Sequence, residues 1–342
     1  MGTFTNRAPF RRPKHFEFSF LVLGIFGLAF LCVLSVAIGN REVGFDDIVM
    51  GLQGHTETIE QAAIARRIPR TFMALFAGGA LGLAGAIMQG LTRNPLADPG
   101  ILGVNMGASL AIVIGIAFFG ITSANSFIWV AIFGAAITAC FVYITGSLGP
   151  GGATPLKLAL AGAATSIAFS SMITGIVLPR GDIAEGVRAW LVGGVGGATV
   201  EGLSQIMPFM IVGYVLSQSS AAKLNALALG DDMATGLGER VAVARIVAAL
   251  AGVTLCGAAT AACGPIAFVG LVVPHFCRLI IGQDHRWLLP FSALTGAGLL
   301  IIADIIGRVI ARPTEIQVGI IVAFLGAPFF IWIVRRQKVR EL

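Results

Sequence analysis

Residues 66–107 read RRIPRTFMALFAGGALGLAGAIMQGLTRNPLADPGILGVNMG, and this stretch organises the rest of the sequence. It begins with three arginines around a proline and then contains no charged residue from Thr71 to Thr92. An α-helix needs about 20 apolar residues to cross a hydrocarbon core about 30 Å thick. Pro95 and Pro99 follow, and each lacks an N–H and restricts the residue before it. The stretch therefore predicts a membrane-spanning helix, a short polar break at the membrane surface and a second helix that re-enters.

Glycines recur in both predicted helices with small-xxx-small spacing, at Gly78/Gly82 and at Gly103/Gly107. This spacing lets helix backbones approach closely in lipid. For any one of these glycines, helix packing is the expected role.

The composition of the whole chain is that of a polytopic membrane protein. Hydrophobic residues make up 56% of it, charged residues 12%, and the mean hydropathy is +0.90, whereas soluble domains carry about 25% charged residues. The net charge of +6 therefore does not indicate nucleic-acid binding. The five cysteines form no CxxC pair and the four histidines no HxxxH or HExxH motif, so neither a metal site nor a disulfide framework is predicted.

Hydropathy predicts an all-α fold of about ten spans within a transmembrane domain, 18–334, between cytoplasmic tails 1–17 and 335–342. Residues 39–65 are predicted to be an external segment, and Glu185–Gly197 is too short to span. The predicted spans are Phe18–Ile38, Thr71–Thr92, the next segment to Phe119, Ser126–Gly146, Lys157–Leu178, Gly202–Leu216, Val241–Ala262, Ile266–Ile281, Leu288–Ile310 and Gln317–Val334.

The charge distribution predicts the orientation. With ten spans and the N-terminus inside, fifteen Lys and Arg residues fall on the cytoplasmic side and eight on the external side. This asymmetry favours cytoplasmic N- and C-termini over the inverse arrangement. Span six is the shortest predicted span. If it did not cross the membrane, the orientation of every later span would be inverted.

The opening stretch resembles the signature of the FecCD-type permeases. Later blocks extend the resemblance over nearly the whole chain in family order: ALGDDMATGLG (228–238), GPIAFVGLVVPHFCRLIIGQDHRWLLP (264–290), ADIIGRVI (303–310) and EIQVGIIVAFLGAPFFIWIVRR (315–336). The resemblance implies the fold of an ABC type II importer permease. It also implies a membrane subunit that dimerises, with the translocation path at the subunit interface.

Four arginines are candidates for the external face: Arg66, Arg67 and Arg70 before span two, and Arg308 near the end of span nine. Arginines at span ends often reach toward the interface with their charged heads. Guanidinium groups also pair bidentately with carboxylates. The resemblance favours the second role and implies docking of an extracytoplasmic substrate-binding protein.

The loop Lys223–Arg240 is predicted to form two short helices, Leu224–Leu229 and Met233–Leu237, with Asp231 or Asp232 as the cap of the second and glycines as breaks. An incidental loop is the alternative. The resemblance identifies the loop as the coupling helices that fit a cleft on an ATPase subunit. The implied contacts are Leu224, Ala228, Leu229, Gly230, Asp231, Asp232, Met233, Ala234, Leu237 and Gly238.

The chain carries no nucleotide-binding motif. Its four lysines, at positions 14, 157, 223 and 338, do not stand in GxxxxGK[ST], so the chain has no Walker A loop. It is therefore predicted not to be an enzyme and to hold no cofactor, and ATP and Mg are expected on a separate ATPase subunit.

Asp304 is the one acidic residue predicted deep in a span, four residues before Arg308 on the same helix face. A local pair with Arg308 is the simpler interpretation, although an intramembrane acid is also a functional candidate. A bare metal ion would demand more oxygen or imidazole ligands, so the path suits a metal already held by an organic chelator. The candidate path or gate residues are Met88, Gln89, Asn94, Pro95, Gly103, Asn105, Trp190, Gly193 and Gly194.

The sequence thus predicts the permease subunit of an ATP-driven ABC importer for a metal chelate in the cytoplasmic membrane of a prokaryote. A ferric siderophore is the first choice, with haem or vitamin B12 as alternatives. Its expected partners are a second permease, identical or paralogous, two ATPase subunits and the binding protein, and no nucleic acid. An ion-coupled secondary transporter is a more remote alternative, which predicts more intramembrane acids and often an inverted repeat. A membrane enzyme is less favoured still, because no nucleophile–base or metal constellation is apparent.

Overall fold

Helices make up this fold because an apolar segment in lipid must satisfy its own backbone hydrogen bonds. The computed structural model describes residues 14–41, 43–100, 103–149 and 154–336, and these residues form thirteen helices and no strand. In chain order the helices are α1 Lys14–Ala37, α2 Phe45–Leu52, α3 Ile59–Thr92, α4 Val104–Phe119, α5 Ala124–Ser147, α6 Pro155–Val177, α7 Gly181–Leu191, α8 Val200–Leu227, α9 Asp231–Gly236, α10 Val241–Cys263, α11 Val269–Ile281, α12 His285–Ile310 and α13 Val318–Arg336.

Ten of these helices match the ten predicted spans, and the all-α prediction is confirmed. Seven helices are long and apolar enough to cross a membrane, and three more are shorter apolar helices within α4, α11 and α13. The remaining three, α2, α7 and α9, have 8, 11 and 6 residues. Most of each predicted tail, 1–13 and 337–342, lies outside the described residues.

The helix α3 begins twelve residues before the predicted start at Thr71. A capping box sets this boundary: the Thr58 side chain accepts from the Gln61 N–H, and the Gln61 side chain accepts from the Thr58 N–H. The helix continues through Pro69. The predicted external segment 39–65 therefore contains the start of α3 as well as α2.

The helix α8 is longer than the predicted sixth span, Gly202–Leu216. Ser217 and Ser220 lower the hydropathy of its second half, but their hydroxyls donate to the carbonyls of Gly213 and Leu216 at 2.6 and 2.8 Å. Such bonds satisfy a buried hydroxyl within its own helix. The predicted separate helix Leu224–Leu229 is therefore wrong, since residues 224–227 form the last turn of α8.

Glycines bring the backbone of α3 against its neighbours. A Cβ at Gly78 would overlap the carbonyl of Gly296 in α12, and a Cβ at Gly82 would overlap that of Ser292. On α4, a Cβ at Gly107 would likewise overlap the side chain of Thr138 in α5. The close helix approach predicted from the glycine spacing is confirmed on both helices.

Candidate functional site

Four charged side chains from α3 and α12 meet at one end of the bundle and form the arginine cluster: Arg67, Arg70, Asp304 and Arg308. The buried Asp304 carboxylate accepts from Arg70 at 2.7 and 2.9 Å and lies 2.9 Å from Arg308. The predicted Asp304–Arg308 pair is therefore present. Sequence reasoning missed Arg70 as the second partner, because 234 residues separate it from Asp304.

Two members of the arginine cluster bind the C-terminal end of α1. The last carbonyl groups of a helix have no partner within the helix, and cations stabilise that end of its dipole. Arg67 and Arg308 supply the missing donors at 2.9 to 3.1 Å to four carbonyl groups, those of Ser35, Val36, Ala37 and Ile38. Both arginines are almost completely buried as a result.

The accessibility of the four predicted docking arginines therefore differs from expectation. Arg67 and Arg308 are bonded inside the chain and do not present free guanidinium groups at the surface. Arg70 retains 12% of its side-chain exposure, and its Nη1 donates to Glu315 at 2.5 Å. Arg66 is exposed. The docking role itself stays a prediction.

We expect Arg308→Ala to lower the free energy of unfolding by about 3–5 kcal/mol. Removing one partner leaves the Asp304 carboxylate and the α1 carbonyls short of donors in a buried site. The measurement is the thermal unfolding midpoint of the subunit in detergent. Arg66→Ala is the control, because it removes an exposed arginine next to Arg67, and equal midpoints for the two variants would contradict the prediction.

The 228–238 loop lies at the opposite end of α3 and α8. Its breaks are Gly230 and Gly238, with φ of +107° and +86°, a region that glycine adopts without strain. Between and beside these breaks stand three large apolar side chains that we call the apolar triad: Leu229, Met233 and Leu237, exposed by 59, 60 and 63%. Exposed apolar residues outside the spanning helices are typical of an interaction surface.

Two of the predicted ATPase contacts in this region are not accessible. Leu224 and Ala234 are fully buried and pack in the hydrophobic core of the subunit. They anchor the loop to the core of the subunit, whereas Ala228, Asp232 and the apolar triad face outward. The predicted contact set is thus divided between a buried side and an exposed side.

Asp231, the first residue of α9, forms ion pairs with two arginines. Arg93, which directly follows α3, donates to Oδ1, and Arg245 of α10 lies 2.8 Å from Oδ2. The hydrogen bond from Arg93 and the charge of Arg245 hold the pKa of the Asp231 carboxyl below its ordinary value. The carboxylate is therefore ionised at neutral pH and joins three helices.

Among the predicted path residues, Gln89 is buried and supports α11. Pro274 has no N–H, so the carbonyl of Gly270 four residues earlier lacks its helical partner. The Gln89 Nε2 donates to that carbonyl at 3.1 Å, and the Gln89 Oε1 accepts from Arg278. Gln89 therefore satisfies an interior backbone group, a role that its spacing in the sequence did not indicate.

The other path candidates near the predicted polar break also lie largely inside the subunit. Met88, Gly103 and Asn105 are buried, and Asn105 Oδ1 accepts from the Cys256 thiol at 2.6 Å. Asn94 closes a turn by accepting from the Leu96 N–H at 3.0 Å, and the neighbouring Pro95 is exposed. Sequence reasoning did not single out Asp98, whose buried carboxylate accepts from the Gly100 N–H at 2.6 Å.

The candidates Trp190, Gly193 and Gly194 lie at the end of α7. The Gly194 N–H donates to Cys263 O at 2.7 Å, and Gly193 O accepts from the Gly319 N–H at 2.9 Å. These bonds connect the end of α7 to the end of α10 and the start of α13. A Cβ at Gly193, whose φ is +78°, would meet the backbone carbonyl of Pro265, whereas a Cβ at Gly194 would meet only the end of the Gln317 side chain.

One face of α6 was not among the predicted sites. Its exposed residues include seven small or polar ones, Ala163, Ala164, Ala168, Ser170, Ser171, Thr174 and Gly175, together with the large apolar side chains of Leu156, Leu160, Ile167 and Met172. The hydroxyls of Ser171 and Thr174 donate to carbonyls four residues earlier at 3.0 and 2.9 Å. The exposed side chains of α5 are mostly large and apolar, so α6 differs from α5 in its larger share of small and polar residues, and the clustering of small residues in the sequence was the available signal.

Comparison with known proteins places this geometry in context. Residues 27–336 match the sequence model of the FecCD transport family. The chain is 45% identical over 306 residues to the ferric enterobactin transport system permease protein FepD of Escherichia coli (strain K12), covering 89% of this chain and 91% of that protein. It is 41% identical to the Fe(3+) dicitrate transport system permease protein FecD of the same organism, covering 93% and 98%.

A solved structure supports the fold independently. A metal-chelate type ABC transporter in an inward-facing conformation superposes with a TM-score of 0.79 at 27% identity, covering 94% of this chain and 99% of that one. The sequence match thus covers most of the chain. It includes the helices described above, the buried glycine contacts of α3 and the exposed 228–238 loop. The chain belongs to the FecCD transport family.

Proposed function

We propose that this chain is the permease subunit of an ATP-driven ABC importer that carries a ferric siderophore across the cytoplasmic membrane of a prokaryote. The observation that carries the proposal is the apolar triad. An exposed apolar surface on a loop outside the spanning helices needs a protein partner, and the chain lacks a Walker A loop of its own. Two separate ATPase subunits, holding ATP and Mg, cover the apolar surface and provide the nucleotide-binding site.

The orientation follows the charge distribution. The 228–238 loop and both termini face the cytoplasm, and the arginine cluster faces outward, in agreement with fifteen Lys and Arg residues inside against eight outside. Arg66 receives carboxylates of the extracytoplasmic binding protein because it is exposed at that end, and Arg70 does so by exchanging its partly exposed partner Glu315. Arg67 and Arg308 support that surface from below by binding α1.

The exposed face of α6, which carries small and polar residues among large apolar ones, lines the translocation path. The chain shares this path with a second permease, identical or paralogous. Exposed serine and threonine hydroxyls that are already bonded to their own helix offer a weakly polar wall. Such a wall lets a bulky chelate pass without holding it. The glycine contacts at the end of α7 lie at the outer mouth of this path.

The proposed cargo is iron already wrapped by an organic chelator. Within the described residues, no group of three His, Cys, Asp or Glu side chains could hold a metal ion. The names of the two relatives given above specify ferric enterobactin and Fe(3+) dicitrate. This supports a ferric chelate and leaves haem and vitamin B12 as alternatives.

The test is uptake of ⁵⁵Fe-labelled chelates into proteoliposomes that hold this chain, its partner permease and the ATPase, with binding protein outside. We expect uptake to require enclosed ATP and binding protein and to persist with a proton ionophore. Ferric enterobactin and ferric dicitrate are compared with labelled haem and cobalamin in the same vesicles. ATP-independent uptake that the ionophore abolishes would favour the ion-coupled alternative.

A further inference from the structure

The Asp231 carboxylate is the one point in the described chain where α3, α9 and α10 share an ion pair. Arg245 approaches it with one nitrogen at 2.8 and 3.0 Å, and Arg93 binds from the other side. All three side chains are more than a third exposed. Exposed ion pairs contribute little to folding stability, so the arrangement needs another explanation.

The backbone at Arg93 points to a role for its side chain. Arg93 ends α3 in the left-handed region, with φ of +52°, and among the described residues only Phe268 is a second non-glycine with positive φ. Glycine adopts this conformation without strain, and it occupies the comparable breaks Gly230 and Gly238. Unlike glycine, arginine at this position has a side chain that reaches α9.

The helix α3, capped by Thr58 and Arg93, spans the subunit. It is continuous over 34 residues, which corresponds to about 50 Å, and it is buried along most of its length. Near its other end it carries Arg67 and Arg70 of the arginine cluster. A displacement of α9 that moves Arg93 therefore moves the element that holds Asp304 and the end of α1.

We propose that Asp231 is a positioning residue that passes movement of the 228–238 loop to α3 and α10. The inference rests on the proposed function, in which the ATPase moves this loop. The apolar triad binds the ATPase on the outer side of α9, and Asp231 holds the inner side to the two spanning helices. Without the carboxylate the ATPase still binds and hydrolyses ATP, but its movement reaches α3 less completely.

Glu239, which directly follows the 228–238 loop, provides the control. It lies outside the predicted set of ATPase contacts, and it forms no ion pair within the described residues. Asp231→Asn and Glu239→Gln therefore each remove one negative charge from this part of the chain, and only the first removes the ion pairs with Arg93 and Arg245.

The experiment uses the complete complex in proteoliposomes, with ⁵⁵Fe-enterobactin, or the labelled chelate that the wild type transports, as the probe. ATP hydrolysis and uptake are measured on the same vesicles. We expect Asp231→Asn to lower the uptake per ATP hydrolysed about fivefold or more, with unchanged ATPase co-purification and unchanged thermal midpoint. Glu239→Gln should match the wild type, and Asp231→Glu should recover part of the ratio.

Arg93→Gln is the second variant, and it should lower the same ratio without a further loss when combined with Asp231→Asn. An unchanged ratio in either single variant would overturn the inference. Loss of ATPase co-purification in Asp231→Asn would also overturn it, by making Asp231 a docking contact. A wild-type chain that retains no ATPase would instead overturn the proposed function, so the two failures are distinguishable.

Discussion

Replacing Met233 with glutamate should remove the ATPase from the purified complex. Met233 is 60% exposed at the centre of the apolar triad. Apolar residues at the centre of an interface typically contribute about 2–4 kcal/mol to binding, and a desolvated carboxylate in their place adds a further cost. We expect affinity for the ATPase to fall by a factor of about 30 or more and ATP-driven uptake to cease.

The measurement is the amount of ATPase that co-purifies with a tagged permease. Val200→Glu is a matched control, since Val200 is an apolar residue 71% exposed at the start of α8, whose other end leads to the 228–238 loop. Equal ATPase retention by the two variants would show that the apolar triad is not the binding surface. The thermal midpoint of both variants is recorded to confirm that the permease itself is folded.

The second large effect is expected at Gly296 in α12, where Gly296→Ala should strongly destabilise the subunit. The added methyl group would overlap the carbonyl oxygen of Gly78, which is backbone and cannot rotate away. The helices α3 and α12 must therefore separate along their shared face. Overpacking of this kind costs about 1–3 kcal/mol and sometimes more.

Gly298→Ala in the same helix is the control. The nearest atom to a Cβ there is a flexible Leu31 methyl at 3.6 Å, so the substitution should be neutral or mildly stabilising through helix propensity. Thermal unfolding in detergent, followed by size-exclusion chromatography, compares the two. A Gly296→Ala midpoint equal to that of Gly298→Ala would mean that the packing at Gly78 is not tight in solution.

The order and approximate positions of the helices could be predicted from the sequence, because hydropathy and glycine spacing are local properties. Both ends of α10 and both ends of α12 lie within three residues of the ends of the predicted spans Val241–Ala262 and Leu288–Ile310. The start of α3 was missed because hydropathy weighs the charged residues before Thr71 and ignores the capping pair Thr58 and Gln61. Span six was underestimated for a related reason, since serine counts as polar even when its hydroxyl is bonded to its own helix.

The site could be predicted less completely, because it depends on contacts between distant segments. The spacing of Asp304 and Arg308 revealed one ion pair, but nothing local indicates that Arg70 completes it. Burial of Arg67 by the end of α1 is a tertiary property of the same kind. The breaks at Gly230 and Gly238 were visible, whereas the link from Asp231 to Arg93 and Arg245 joins positions 138 and 14 residues apart.

The binding of Arg308 to the end of α1 has a consequence for biogenesis. Ribosomes complete α1 first, whereas Arg308 emerges about 270 residues later. Arg308 enters the bilayer paired with Asp304 of its own helix, and the acceptors of its Nη1 are the carbonyl groups at the end of α1. A helix that is made early and is mostly exposed thus supplies acceptors for a charge that is made late. Deleting α1 should therefore arrest assembly at the ninth span.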